Sequence, residues 1–252
     1  MTDIKLVAVI TGAGSGIGAA TAMRFARSGL VIAVCDINAA GADRTACQIR
    51  EEGGQATAFT VDVTDELAVQ ALFERVESEL GQVTHLVNNV GIEITGPSQA
   101  FSLKDYDSLF NVNVKSVFLC SRAAAHYMAP RGQGSIVNLA SVASFKTWPL
   151  DGIYSATKAA VLGLTKAFAV DLASTGVRVN AVAPAIVDTP MTDRAIAEET
   201  DREAGRARRN KLHPLGRMAT PNDIAESIFF LSSAASSFTT GACLTLDGGL
   251  LA

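Results

Sequence analysis

The chain alternates between short apolar runs and longer segments in which apolar residues recur with helical spacing. The runs are too short for helices and predict buried strands, whereas the periodic segments predict amphipathic helices. The predicted strands cover residues 6–10, 30–35, 57–61, 85–88, 134–141, 177–183 and 243–246, and the predicted helices cover 19–27, 39–52, 64–80, 105–128, 154–173 and 221–231. This alternation is typical of an α/β fold with helices on both faces of a parallel sheet.

Residues 188–213 interrupt the alternation, because they are polar, charged and only partly periodic. Basic residues in the second half of this segment are interleaved with acidic ones, which favours a solvated helix face. We expect the segment to be a mobile helical lid over the functional site. Since the chain has no linker rich in Pro, Gly or Ser, residues 1–252 are predicted to be one domain.

The first predicted strand leads directly into a glycine-rich turn. Gly12, Gly16 and Gly18 follow the strand, and a helical segment begins after them. Glycines let a backbone approach a ligand closely, and free N–H groups at a helix start attract phosphate. The spacing departs from the dinucleotide fingerprint Gly-x-Gly-x-x-Gly, although the strand, turn and helix context agrees with it. A turn that serves only packing would use the same glycines.

The second predicted strand ends at Asp36, which lies about 20 residues beyond the turn, as expected for a carboxylate that binds the adenosine ribose. Together with the glycines, this carboxylate makes a dinucleotide site a much stronger prediction. A carboxylate would also repel the 2′-phosphate of NADP, and neither Ser15 nor Ile37 supplies a compensating cation. The cofactor predicted from these residues is therefore NAD.

Composition excludes several other classes of protein. The formal net charge of −4 offers no electrostatic footprint for nucleic acid. The four cysteines are far apart and match no metal-binding spacing, which predicts a reduced, cytoplasmic protein without a metal. No leader sequence and no run of about 18 apolar residues is found, so we expect neither a signal peptide nor membrane association.

A serine, a tyrosine and a lysine come together around the fifth predicted strand. Ser141 lies at the end of this strand, and Tyr154 and Lys158 lie one turn apart on the helix that follows. A nearby cation would lower the pKa of the phenol from about 10, so that Tyr154 could act as general acid or base. Ser141 could hold a substrate oxygen in line with the phenol. A buried tyrosine beside a surface lysine would give the same spacing.

With these residues assembled, the chain resembles the short-chain dehydrogenase/reductase family along nearly its whole length. The turn from Thr11 to Gly18 is similar to the cofactor turn of the family, and Asn88-Asn89-Val90-Gly91 is similar to its Asn-Asn-Ala-Gly motif. By this resemblance the cofactor contacts are Gly12, Ser15, Gly16, Ile17, Gly18, Asp36, Ile37, Asp62, Val63, Asn89, Gly91, Tyr154, Lys158, Pro184, Val187 and Thr189. Val90 and Ala185 depart from the family pattern and put the fine geometry of two loops in doubt.

The resemblance implies a single-domain Rossmann-type fold with a doubly wound, seven-stranded sheet, and hydride transfer between NAD(H) and an alcohol or ketone. The catalytic tetrad would be Asn113, Ser141, Tyr154 and Lys158. Tyr154 would move the proton, Lys158 would hold the ribose, Ser141 would orient the substrate, and Asn113 would support a water relay. For Asn113, an amide that ties a helix kink is the competing interpretation.

The substrate is expected to be an apolar or cyclic alcohol or ketone, because the residues predicted to line its site are mostly apolar. They are Ser141, Ile92, Glu93, Ile94, Ala143, Phe145, Trp148 and Met191. Glu93 could bind a second hydroxyl or an amine, or could be a solvated loop carboxylate. Two other functions stay open, namely a 3-oxoacyl-carrier reductase that uses NADPH and a catalytically silent dinucleotide-binding sensor.

A homotetramer is implied by the resemblance and has a correlate in the sequence. The helical segment 159–170 is apolar or small over most of its circumference, which is more than one sheet-facing stripe requires. Its second face is therefore expected to meet a partner subunit. Coverage by neighbouring helices of the same chain is the alternative.

Overall fold

A computed structural model describes residues 5–252, in which seven strands form one parallel sheet with the order β3-β2-β1-β4-β5-β6-β7. The strands are β1 (Leu6–Thr11), β2 (Val31–Asp36), β3 (Gln55–Thr60), β4 (Gln82–Asn88), β5 (Gly134–Leu139), β6 (Val177–Pro184) and β7 (Cys243–Leu246). The strand order reverses between β1 and β4, and such a switch point leaves a crevice at the carboxyl ends of the strands. The predicted seven-stranded, doubly wound fold is confirmed.

Nine helices connect these strands in the described part of the chain. They are α1 (Gly16–Ala26), α2 (Ala39–Glu51), α3 (Glu66–Glu79), α4 (Leu103–Phe110), α5 (Ser116–Met128), α6 (Gly152–Leu172), α7 (Pro190–Ala197), α8 (Arg202–Lys211) and α9 (Pro221–Ser232). None of the helices described is long and apolar enough to cross a membrane. Thr220 caps α9 in a capping box with Asp223, which confirms the predicted start of this helix.

Alternate residues of β1 belong to two different cores. Val7 and Val9 pack in one cluster with residues of α3 and α5, whereas Ala8 and Ile10 pack in another with residues of α1, α2 and α9. Because successive side chains of a strand point to opposite faces, this division shows that the sheet is covered on both sides. All four residues are fully buried, so β1 lies at the centre of the protein.

Several predicted boundaries differ from the observed ones by up to three residues, and two of the differences concern β4 and the helical segment after it. The strand predicted for residues 85–88 begins at Gln82. Its first residues are partly polar, but they pair with β1 in parallel and so belong to the strand. The helix predicted for residues 105–128 is divided by a π-helical turn, Asn111–Lys115, between α4 and α5. The extra residue of a π turn rotates the following positions, and Asn113 in this turn is completely buried.

Residues 188–213 form α7 and α8, which agrees with a helical segment. Arg206 makes ion pairs with Asp188 and Asp193, and Glu199 makes ion pairs with Arg208 and Arg209. The basic residues are thus matched by acidic partners within the same segment. The role of this segment as a mobile lid remains a prediction, as does the assignment of the whole chain to one domain.

Candidate active site

The glycine turn between β1 and α1 brings backbone segments too close for side chains. A Cβ atom on Gly18 would lie 2.1 Å from the carbonyl oxygen of Gly12, and both Gly12 and Gly16 have positive φ angles. Ser15 is the N-cap residue of α1, but its side chain makes no capping hydrogen bond. Ile17 is half-buried behind the turn. The turn presents free N–H groups at the start of α1, and such groups can bind the phosphates of a dinucleotide.

Asp36 lies beside this turn at the end of β2. Its Oδ2 accepts a hydrogen bond of 2.8 Å from Gly14 N, and its Oδ1 accepts one of 2.8 Å from Asn38 N. These contacts orient the carboxylate, and each oxygen keeps a lone pair that a ribose hydroxyl could use. A Cβ on Gly14 would lie 2.8 Å from Asp36 Oδ2, so Gly14 is part of the site although the sequence analysis did not include it. Ile37 is 70% exposed.

The end of β3 extends the same edge toward the position expected for an adenine ring. Val61 N donates a hydrogen bond to Asp36 O, which holds the ends of β2 and β3 together. Asp62 is exposed, and its Oδ1 accepts hydrogen bonds from the backbone and the hydroxyl of Thr64. Val63 is buried behind it. The two residues therefore lie where the family pattern would use them, and their contact with a cofactor remains a prediction.

Asn89 joins the end of β4 to the glycine turn. Its side-chain Nδ2 donates to the carbonyl oxygens of Thr11 and Gly12, and its backbone N–H donates to Thr11 Oγ1. Two residues further, a Cβ on Gly91 would lie 3.2 Å from Lys158 Nζ. The β4 end thus connects the turn that would hold phosphates with the lysine of the predicted tetrad.

Three predicted catalytic residues meet at the carboxyl end of β5. Lys158 Nζ donates a hydrogen bond of 3.0 Å to Leu139 O and lies 5.7 Å from the centre of the Tyr154 ring. The Ser141 hydroxyl accepts a hydrogen bond of 3.1 Å from Ala143 N and lies near enough to the Tyr154 phenol to lower the pKa of that phenol. The structure therefore brings the serine, the tyrosine and the lysine into one cluster.

Asn113 reaches the same cluster from the π turn. Its Oδ1 accepts from Ile92 N at 2.8 Å, and its Nδ2 donates to Ile92 O at 2.9 Å and to Thr157 Oγ1 at 3.1 Å. The side chain is therefore used completely in holding the segment after β4 and the helix that carries Tyr154. These contacts agree with an amide that ties a helix irregularity, and the water relay remains a prediction.

Burial raises the pKa of the Tyr154 phenol, and the Glu93 carboxylate raises it further, while the Ser141 hydrogen bond opposes the rise. The sequence analysis expected the Lys158 cation to lower this pKa, and that expectation is wrong for the structure. The reason is that the phenol lies in a poorly solvated site between Glu93 and Asp151. At neutral pH Tyr154 is therefore protonated and suited to donate a proton.

Burial also lowers the pKa of Lys158 to about 8, and the Glu93 carboxylate partly offsets this effect. Desolvation disfavours the charged ammonium, just as it disfavours the charged phenolate. Lys158 is 5% exposed, so its charge is poorly screened. The lysine therefore remains mostly cationic at neutral pH. As the pH rises, it loses its proton before the phenol does.

The loop after β6 lies on the other side of the crevice. Pro184 ends this strand, Val187 is buried and pairs with Ala219, and Thr189 caps α7. A Cβ on Gly16 would lie 3.5 Å from the Thr189 side chain, so this loop reaches the glycine turn. The three residues are therefore near the predicted dinucleotide path.

The two departures from the family pattern fit the backbone without distorting it. Val90 packs against the buried core, and Ala185 N donates a normal hydrogen bond of 3.1 Å to Leu246 O. A Cβ on Gly12 would lie 3.3 Å from Val90 Cγ2. The added bulk of Val90 therefore lies close to the turn, and no contact interrupts the hydrogen bonds that shape either loop.

The predicted substrate residues lie on three segments around this cluster. Ile92, Glu93 and Ile94 follow β4, Phe145 and Trp148 precede α6, and Met191 is in the first turn of α7. Ile92 contacts Asn113, and Ala143 contacts Ser141, whereas Phe145 and Met191 are largely exposed. The structure therefore ties Ile92 and Ala143 to the cluster, and the remaining substrate contacts stay predictions.

Asp151 is a residue of this site that the sequence analysis missed. It is the N-cap residue of α6, yet its side chain makes no capping hydrogen bond, and its Oδ1 is buried without a partner. The preceding Leu150 has a φ of 71°, the one positive value at a non-glycine residue between positions 5 and 252. An aspartate just before a helix normally indicates a cap, so no sequence signal could have revealed this arrangement.

Comparisons with known proteins agree with the fold. The family model described as Enoyl-(Acyl carrier protein) reductase matches residues 12–251. A cis-4-hydroxycyclohexanecarboxylate dehydrogenase from Sinomonas cyclohexanicum is 40% identical over 247 residues, which cover 98% of this chain and 96% of the relative. A 3-oxoacyl-[acyl-carrier-protein] reductase from Thermotoga maritima is 38% identical over 97% of each chain.

Among solved structures, a gluconate 5-dehydrogenase from Burkholderia cenocepacia in complex with NADP and tartrate superposes with a TM-score of 0.90 at 35% identity. The match covers 98% of this chain and 94% of that one. The chain therefore belongs to the short-chain dehydrogenase/reductase family, as the sequence motifs indicated. The relatives described above are dehydrogenases and a reductase by name, and one of them was solved in complex with NADP.

Tyr154→Phe should nearly abolish dehydrogenase activity, because the ring remains while the transferable proton is lost. A positioned acid or base contributes about 10² to 10⁴ in rate. The measurement is kcat with saturating alcohol and dinucleotide, with dinucleotide binding followed by fluorescence as the control for folding. A variant that binds dinucleotide and keeps more than roughly a tenth of the wild-type kcat would contradict the assigned role.

Proposed function

We propose that this protein transfers a hydride between NAD(H) and a secondary alcohol or ketone that is apolar or cyclic. The observation that carries this proposal is the cluster of Ser141, Tyr154 and Lys158 beside a glycine turn whose neighbouring strand ends in Asp36. The cluster supplies a proton donor, a hydrogen-bonding group for the substrate oxygen and a cation, which are the groups that carbonyl reduction requires.

The dinucleotide, when bound, would supply or accept the hydride. The glycine turn would bind its phosphates, Asp36 would bind its adenosine ribose, and Lys158 would bind its second ribose. Ser141 would hold the carbonyl oxygen of the substrate against the Tyr154 hydroxyl. In reduction Tyr154 would donate its proton to that oxygen and become a phenolate. Oxidation would be the reverse step, in which the Tyr154 phenolate would accept the proton of the alcohol, with Lys158 stabilising the phenolate.

The choice of NAD over NADP rests on the charge around Asp36. The 2′-phosphate of NADP would meet this carboxylate, while Ser15 and Ile37 beside it are uncharged and exposed. A relative solved in complex with NADP shows that a protein of this family can bind the phosphorylated cofactor. Within the same family, a 3-oxoacyl-carrier reductase that uses NADPH is the second candidate, supported by the similarity to the Thermotoga maritima enzyme.

A dinucleotide-binding sensor without turnover is the candidate from a different class. The family fold alone would suit such a sensor, because fold does not determine function. The proximity of Ser141, Tyr154 and Lys158 argues against it, since binding alone would not need a proton donor beside a hydroxyl and a cation. Dinucleotide binding without turnover on any alcohol or ketone would favour the sensor.

The proposed substrate contacts combine an apolar wall with two carboxylates. Ile92, Ile94 and Trp148 would pack on a ring, and the similarity to a dehydrogenase of a hydroxycyclohexane acid supports a cyclic compound. After burial, the charges of Glu93 and Asp151 also raise the pKa of Tyr154, so both carboxylates lie near enough to the phenol to affect it. Such a pair would accept hydrogen bonds from a second hydroxyl group on the ring.

Contacts between two loops support this placement of the carboxylates. Gly96 N donates a hydrogen bond of 2.7 Å to Leu150 O, and a Cβ on Gly152 would lie 2.6 Å from Ser98 Oγ. The loop that carries Glu93 and the loop that carries Asp151 therefore pack against each other. Burial raises the pKa of the Asp151 carboxyl, and partial burial together with Asp151 raises the pKa of the Glu93 carboxyl.

We further propose that the protein is a cytoplasmic homotetramer. The outer face of α6 includes small or apolar residues that are exposed on this chain, namely Ala159, Gly163, Ala167 and Val170, with the exposed Lys166 among them. Nothing lies within 4 Å of a Cβ built on Gly163. Helices of the same chain therefore leave this face uncovered, which supports its burial against a second copy.

NAD should give a higher kcat/KM than NADP, because Asp36 would accept hydrogen bonds from free ribose hydroxyls and repel a phosphate. Asp36→Asn should lower the NAD/NADP ratio by about tenfold or more, since a hydrogen bond to a charged group contributes about 1.5–3 kcal/mol. The matched control is Asp43→Asn, which changes an exposed carboxylate on α2. An NADP preference in the wild type, or an equal ratio in Asp36→Asn, would show that Asp36 does not select the cofactor.

At least one cyclohexanediol should be oxidised with a higher kcat/KM than cyclohexanol, by about tenfold, because Asp151 would accept a hydrogen bond from the second hydroxyl. Asp151→Ala should reduce this advantage to near unity. Asp171→Ala removes an exposed carboxylate from the far end of α6 and should leave the advantage unchanged. If Asp151→Ala preserves the diol preference, the carboxylate does not contact the substrate.

Light scattering should report four times the 26.2 kDa mass of one chain at micromolar concentration. Gly163→Arg should dissociate this assembly, because the side chain has free space on its own chain but would project into a partner. Gln70→Arg on the exposed face of α3 is the control and should not change the mass. A wild-type monomer would reject the proposed oligomer.

A further inference from the structure

Thr157 lies between Tyr154 and Lys158 in sequence, and its side chain makes two hydrogen bonds at the candidate active site. It is completely buried. Its Oγ1 donates to Tyr154 O at 2.7 Å and accepts from Asn113 Nδ2 at 3.1 Å. The hydroxyl therefore joins the helical turn of the tyrosine and the lysine to the π turn that carries Asn113.

The donor and acceptor roles in this chain of hydrogen bonds are fixed by the backbone. Ile92 N–H can only donate, so the Asn113 atom that faces it must be the oxygen. The amide nitrogen then has two hydrogens, of which one goes to Ile92 O and the other to Thr157 Oγ1. Thr157 must accept here, and its own hydrogen remains available for Tyr154 O. Each donor in this series of hydrogen bonds therefore has one acceptor.

We infer that Thr157 is a positioning residue, whose hydroxyl sets the distance between Asn113 and the helical turn that carries Tyr154 and Lys158. This inference rests on the proposed dehydrogenase function. The two helical segments meet through few other polar contacts at this point, and Gly91 fits between them: a Cβ there would lie 3.2 Å from Lys158 Nζ and 3.4 Å from Asn113 Oδ1. A small shift of either segment would therefore displace the lysine relative to the segment after β4.

Thr165 provides a close internal control on the same helix. Its Oγ1 donates to Val161 O at 2.8 Å and accepts from Asn138 Nδ2 at 2.9 Å, and it is 1% exposed. It thus repeats the arrangement of Thr157, in which a buried threonine accepts from a buried asparagine and donates to its own helix. Thr165 makes no contact with the tyrosine, lysine or serine of the site. Removing either hydroxyl should have a similar structural cost.

The experiment compares kcat and thermal stability of Thr157→Val, Thr157→Ser and Thr165→Val at a temperature at which all three are folded. Thr157→Val keeps the shape and should lower kcat about tenfold or more, since small misplacements in active sites cost up to about 10² in rate. Thr157→Ser keeps the hydroxyl and should retain most of kcat. Thr165→Val should lose comparable stability and keep the wild-type kcat.

Two results would overturn the inference. One is a Thr157→Val kcat within about twofold of wild type, and the other is an equal loss in Thr165→Val, which would mean a purely structural role. If Thr157→Val does not fold, Thr157→Cys replaces it, because a thiol is a weak hydrogen-bonding group of similar size. An unchanged kcat in Thr157→Cys would then count against the inference. Absence of turnover in the wild type would instead contradict the proposed function.

Discussion

The structure depends on one constraint, namely that the carboxyl ends of parallel strands meet at the same edge of a sheet. Because β1 lies between β2 and β4, the glycine turn, the Asp36 carboxylate and the segment after β4 converge without any long loop. The Asn89 side chain holds this convergence by donating to the carbonyl oxygens of Thr11 and Gly12. The proton-transfer cluster then follows at the end of β5, one strand further along the same edge.

Burial has opposite consequences for the two titratable groups of the cluster. It raises the pKa of Tyr154 and lowers the pKa of Lys158 to about 8, because a poorly solvated site disfavours the charged form of each. The combination of a neutral phenol and a cationic amine is therefore the stable one at neutral pH. This combination favours proton donation by Tyr154. Alcohol oxidation requires the deprotonated form of Tyr154, which the nearby Lys158 cation would stabilise.

Much of the fold and of the candidate site could be predicted from the sequence, since apolar periodicity and glycine spacing are local signals. The strand and helix order, the dinucleotide turn and the cluster of Ser141, Tyr154 and Lys158 were of this kind. The π turn could not be predicted, because residues 105–128 contain no Gly or Pro that would mark an interruption of the helix. Likewise, the raised pKa of Tyr154 depends first on burial and then on the charges of Glu93 and Asp151, which lie on two separate loops.

The central place of β1 has a consequence for how the chain folds. Thr11, the last residue of β1, donates its hydroxyl hydrogen to Val87 O, which lies 76 residues later in the chain. During synthesis β1, β2 and β3 emerge first, and one edge of β1 stays unpaired until β4 has been synthesised. Pairing between strands so far apart is slow, and an open apolar strand edge is prone to association with other chains. The first half of this protein is therefore the part that needs protection at the ribosome, and its cofactor turn is completed only when Asn89 has been made.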